Sequence, residues 1–176
     1  MRASRADGKM IRGNGLTLFV LLSILVLTAC STTQPLPVQG QTLQDVQLPL
    51  QLHLRYQEGE LSRDAIVVIQ REAEVLRFSL FDAMGVPLAR QILRDNDWHA
   101  DGLLPSNPQA RQWFAGLVFA LTTAEHLVQQ YPNAKVSTGQ RILANGWQVS
   151  HTKPKQWQII FNPQQALQVE QMEWQP

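Results

Sequence analysis

Asp95, Asp97, His99 and Asp101 form a dense acidic cluster with a histidine inside it. Spaced by two, these side chains fall on one face of an extended strand. Carboxylate oxygens with an imidazole are donors that suit a divalent metal. The same Asp95-Asn96-Asp97 string is also favourable hairpin-turn chemistry, and no metal is assigned to it. His53, His126 and His151 are scattered and have no nucleophile motif beside them. The chain has no Gly-x-Ser-x-Gly elbow, no phosphate-binding loop and no His-Glu-x-x-His pair. No catalytic residue and no cofactor is therefore assigned, and the chain is expected not to be an enzyme.

The other reactive group is the single thiol, Cys30. It ends the stretch Leu16 to Cys30, whose apolar run from Leu16 to Leu27 is broken only by Thr17 and Ser23. That run is shorter than the about 20 residues a membrane span needs. It has the length of a secretory signal core, preceded by Arg2, Arg5, Lys9 and Arg12. Leu27-Thr28-Ala29-Cys30 resembles the lipobox of bacterial lipoproteins. The resemblance implies cleavage after residue 29, a diacylglycerol on the Cys30 sulfur and an acylated new amino terminus. A blocked sulfur excludes thiol catalysis and Cys-based zinc binding, and a lone cysteine excludes an internal disulfide. By resemblance to enterobacterial-type lipoproteins, Ser31, being other than Asp, implies sorting to the outer membrane, with the domain on the periplasmic face.

Cleavage changes the balance of charge. Four of the 15 Lys and Arg and one of the 14 Asp and Glu lie in the leader, so the overall +1 becomes a formal −2 after residue 29. No basic excess remains to suggest a nucleic-acid partner. The organisation expected is a signal peptide over 1–29, an acylated cysteine and flexible tether over 30–47, and one domain over 48–176. The tether is inferred from the Pro, Gly, Thr and Gln content of Ser31 to Gln47 and its lack of periodicity. Fully extended, it would reach about 55–60 Å and hold the domain off the membrane.

From Leu48 the pattern alternates. Leu48, Leu50, Leu52, Leu54 and Tyr56 share one face, opposite Gln51, His53 and Arg55. Further strands are expected at Leu61–Gln70, Val75–Phe81, Val86–Arg94 and Trp98–Leu104, an antiparallel meander. Asn107-Pro108 reads as a cap followed by proline at the first helical turn. One helix, apolar over a wide arc, is expected from Pro108 to Tyr131, ended by Pro132. Strands at Arg141–Ala144, Trp147–Thr152, Trp157–Phe161 and Leu167–Trp174 close the chain.

Several strings in this order resemble LolB, the outer-membrane receptor for lipoproteins. They are Leu76-Arg77-Phe78-Ser79-Leu80-Phe81-Asp82-Ala83-Met84-Gly85, then Ala110-Arg111-Gln112-Trp113-Phe114-Ala115-Gly116-Leu117, and the terminal Leu167-Gln168-Val169-Glu170-Gln171-Met172-Glu173-Trp174. The chain is still more similar to the LolB-like lipoproteins of aryl-polyene and related lipid-biosynthesis systems. It departs from the LolB pattern at Ala83 and Met84, where that family has proline and an exposed leucine. It also lacks an evident amino-terminal helix in Gln41 to Gln47.

The resemblance implies an α+β fold of the LolA/LolB kind: a curved antiparallel sheet forming an incomplete, half-open β-barrel plugged by one main helix. It implies a monomer that binds acyl chains or another apolar cargo and helps deliver it to the outer membrane, with a periplasmic LolA-like carrier as a partner. Trp113, Leu117, Leu121, Trp147 and Trp157 are the candidates to line the cavity. Met84 and Gly85 are the candidate membrane-inserting tip. The residues alone leave two alternatives open: periodicity does not separate a cavity from a dry core, and Met84 either projects or folds back on the sheet.

Overall fold

The computed structural model describes residues 34–38, 42–105 and 107–173. Cys30 with the lipobox, the leader and Trp174 lie outside the described residues, and the terminal strand expected to run to Trp174 ends at Gln171.

Ten antiparallel strands form one open sheet. They are β1 (Leu50–Glu58), β2 (Leu61–Glu72), β3 (Val75–Asp82), β4 (Pro87–Arg94), β5 (Asp97–Ala100), β6 (Lys135–Ser137), β7 (Gln140–Ile142), β8 (Gln148–Lys153), β9 (Gln156–Asn162) and β10 (Gln165–Gln171). The order is β5-β4-β3-β2-β1-β10-β9-β8-β7-β6, so the first and last strands in sequence become neighbours at the centre. Between β5 and β6 the chain forms two helices, α1 (Pro108–Leu121) and α2 (Ala124–Gln130).

Alternation fixes the register. Leu52 and Leu54 of β1 stand opposite Val67 and Ala65 of β2 and opposite Gln171 and Val169 of β10. A slip of one residue would turn Leu50, Leu52 and Leu54 out to water and bring Gln51, His53 and Arg55 in. The inner face so formed is covered by α1, which buries Trp113, Phe114, Leu117, Val118 and Phe119. Asn107 caps that helix, its side-chain oxygen accepting the Ala110 N–H at 3.0 Å.

Expectation and structure differ at several places. The expected single helix breaks at Thr122, where ψ is 126°. Thr122 Oγ1 donates to the Val118 carbonyl at 2.8 Å. The guanidinium of Arg141, on β7, closes on the carbonyls of Phe119, Ala120 and Thr122. A cation there complements the helix carboxyl end, and burial lowers the Arg141 pKa. The strand β6 was not expected, and the strand expected from Trp98 to Leu104 ends at Ala100.

The largest correction concerns the tether. Within the stretch expected to be free, residues 34–38 and 42–47 lie against the domain. The Val38 N–H donates to the Gln130 carbonyl at 2.9 Å. Leu43 is buried and Leu36 and Val46 pack on the core. Arg71 donates to the carbonyls of Thr42 and Leu43 at 2.8 and 3.1 Å, and Asp45 pairs with His126 at 2.7 Å. Composition predicts freedom because these residues lack a period. A segment needs no period when single leucines fill gaps in a surface made by other elements.

Candidate membrane-facing site

Because every neighbouring strand is antiparallel, the turns segregate. Those joining β1 to β2, β3 to β4, β7 to β8 and β9 to β10 lie at one rim of the sheet, with the end of β5 and the start of β6. Those joining β2 to β3, β4 to β5, β6 to β7 and β8 to β9 lie at the other. The first rim carries the candidate tip.

That tip is built by Asp82. Its side-chain oxygen Oδ1 accepts the backbone N–H of Met84 at 2.9 Å and of Val86 at 2.8 Å. Its backbone accepts from Gly85 at 3.0 Å and donates to Val86 at 3.0 Å. Gly85 sits at φ +82°, a conformation that favours glycine although its surroundings leave space for a side chain. The turn therefore satisfies its own polar groups and asks nothing of the residue between them. Met84 is 87 % exposed. Of the two arrangements open from the sequence, the projecting one is present.

Met84 is not an isolated exposed apolar residue. Val86 and Leu88, next along the chain, are exposed, as is Leu61 at the start of the neighbouring β2. Leu103, in the loop that leaves the same rim after β5, is fully exposed. The group has acidic neighbours: Glu58 and Glu60 flank the β1–β2 turn, with Glu58 held by Arg63 at 3.1 Å.

The cavity candidates are found elsewhere, under α1. Leu117, Trp113 and Trp147 are buried; Leu121 and Trp157 are half-buried. Trp113 meets the Tyr56 ring at 4.6 Å between centroids, and Trp147 stands edge-on to Phe161 at 4.8 Å. Trp157 lies apart, near His151. The fit is tight: a Cβ added to Gly116 would lie 2.7–2.8 Å from the Phe161 ring. Around Gly116 the inner face is packed, with the Phe161 and Ile159 side chains of β9 against α1.

The acidic cluster is divided. Asp95 and Asn96 both have positive φ, 52° and 58°, the backbone of a two-residue hairpin turn. Asp97 accepts the Trp98 N–H at 2.8 Å. Asp101 pairs with Arg77 at 2.5 Å and Arg90 at 2.9 Å, and Arg77 also pairs with Glu72. Among the described residues no three metal-ligating side chains gather. The histidines are equally dispersed, with His53 on Asp64 at 2.9 Å and His126 on Asp45.

Of the grooves outside the core among the described residues, two contrast in their lining. One, of about 350 Å³, is polar and runs across the outer face past His53, Arg55, Gln158 and Glu170. The other, of about 230 Å³, is lined mainly by apolar side chains between the 34–38 segment and the first rim. The second escaped the sequence because its near wall was assigned to a free tether. No helix among the described residues is long and apolar enough to cross a membrane. Comparison with protein-family models and with curated proteins returned no match for this chain.

Proposed function

We propose that the chain is a lipoprotein held on the periplasmic face of the outer membrane by acylated Cys30, with a LolB-like half-barrel that takes up an acylated or otherwise apolar cargo and passes it to the bilayer. One observation carries this reading: an apolar side chain, Met84, is displayed in water at the end of a turn that does not need it to fold. Moving such a side chain from water into acyl chains gains about 1.5–3 kcal/mol. That is enough to favour membrane contact and small enough to be reversible.

The work needs no covalent step. Cargo would enter between α1 and the inner face of the sheet, displacing the contacts of Leu117 and Phe161. The membrane would then compete for each methylene, worth about 0.8 kcal/mol. Delivery runs forward when the repacked core and the bilayer together outbid the opened cavity. A periplasmic LolA-like carrier would supply the cargo.

A second reading has its own support. Close packing at Gly116 favours a domain that never opens, a non-enzymatic scaffold or assembly factor of an envelope lipid or polyene export system. Lipid extraction and mass spectrometry of the purified lipoprotein separate the two, with its own anchor subtracted. Stoichiometric extra acyl species support the carrier, and co-purifying protein without lipid supports the scaffold. In a transfer assay to liposomes, Met84→Glu should stop delivery while cargo stays bound. Undiminished delivery by Met84→Glu would reject the tip.

A further inference from the structure

The apolar groove beside the 34–38 segment has a wall on each of three pieces of chain. Pro35, Leu36 and Val38 form one, Tyr131 and Pro132 a second, and Leu143 a third. None of the residues that line it is charged. Tyr131 and Pro132 lead into β6, and Leu143 lies in the β7–β8 turn, so two of the walls belong to the first rim. That is the rim of Met84.

The chain before Gln34 supplies the second half of the argument. Four residue steps separate Cys30 from Gln34, a contour of at most about 14 Å. The expected tether would have allowed about four times that reach. An anchor on so short a lead brings the membrane surface to whichever part of the domain Gln34 occupies, and Gln34 directly precedes the groove. Lys135, exposed one residue beyond Ala134, adds a positive charge that anionic headgroups attract.

We propose that this groove is a second membrane contact, taking phospholipid acyl chains from the same bilayer leaflet that holds the Cys30 anchor. The inference rests on the lipoprotein reading. The groove and the Met84 turn then dock as two points of one rim. The domain is set with its first rim on its own membrane, and a tip reaching across to a different membrane is excluded.

Because the only native cysteine is the lipidated one, an added cysteine is a unique label site. Full-length lipoprotein would be reconstituted in phosphatidylethanolamine–phosphatidylglycerol vesicles. It would carry an environment-sensitive fluorophore at Ala144→Cys beside the groove, at Met84→Cys, or at Thr138→Cys in the β6–β7 turn of the opposite rim. Intact mass establishes the anchor first. Spin-labelled phospholipid should quench the label at 144 as it does at 84, and several-fold more than at 138. Val38→Glu should lower quenching at 144 toward the value at 138, and Val38→Ile should preserve it.

Quenching at 84 but not at 144 overturns the groove and leaves the tip standing. A blue shift at 144 without quenching means that the protein's own acyl chain or a peptide fills the groove, which overturns the bilayer as occupant. Quenching at 138 equal to that at 144 overturns the orientation. A chain whose mass shows no lipid overturns the lipoprotein reading and this inference with it.

Discussion

Met84 and Leu117 are both large, apolar and unbranched at Cβ, and the molecule uses them in opposite ways. Leu117 is fully buried beneath α1, against a sheet face built by alternation. Met84 stands in water on a turn whose hydrogen bonds all run from Asp82 to backbone groups of Met84, Gly85 and Val86. The interior spends its apolar surface on folding. The rim keeps its apolar surface available. Stability and the proposed membrane contact should therefore be separable by mutation, and four measurements test that contrast.

The largest effect is expected for Leu117→Ala. Removing a fully buried leucine costs about 2–5 kcal/mol through lost transfer energy and the cavity left behind. Denaturant unfolding should show a lower midpoint at unchanged slope. A loss below about 1 kcal/mol would mean that α1 is not firmly seated, bringing interior and rim closer in kind.

Gly116→Ala comes next. Alanine gains about 1 kcal/mol over glycine in helix propensity, but its methyl must push the Phe161 ring, which Trp147 backs edge-on. Overpacking costs about 1–3 kcal/mol, so a net loss of up to about 2 kcal/mol is expected. Phe161→Leu added to Gly116→Ala should recover part of it. A plain stabilisation by Gly116→Ala would show that α1 and β9 separate readily, the property a carrier needs.

For Met84→Glu the expected change is within about 0.5 kcal/mol, the ordinary range for an exposed site. Thermal unfolding should be almost superimposable on the parent's. A fall of several degrees would place Met84 in a packed position and remove the contrast altogether.

The smallest effect concerns pH. Burial, and then the positive charge of Arg141, lower the His151 pKa from its ordinary 6.5. The unfolded chain then binds this proton more readily than the folded one. The contribution is fully present above about pH 6.5 and is lost as pH falls through the lower folded value. His151→Gln should flatten stability between pH 7 and pH 5. The histidine is exposed enough for solvent to screen much of the effect. A steeper acid loss in His151→Gln than in the parent would show that the sign is wrong.

The two rims also differ in how much of them was legible. Asp95-Asn96 announces its turn because short polar residues tolerate positive φ, and the structure has both there. Asp82 to Gly85 announces a tight loop for the same reason, yet nothing in the string says whether Met84 points outward. That depends on whether any neighbour offers it a surface. The helix break was hidden for a related reason. Thr122 and Thr123 are only mildly unfavourable in a helix, and the carbonyls they leave open are met by Arg141 from a strand about twenty residues away.

Local patterns along the chain are enough to give the antiparallel sheet, its inner face and the apolar helix that covers it. Period-two and period-3.6 patterns encode burial locally, and turn residues mark where each run stops. Folding in three dimensions makes residues 34–38 and 42–47 a strap, sets Gly116 against Phe161, and brings Met84 and the Leu36 groove to one rim. Each of those depends on surfaces brought together from distant parts of the chain. Single leucines such as Leu36 and Leu43 offset the entropy of ordering a segment only where such a surface already exists.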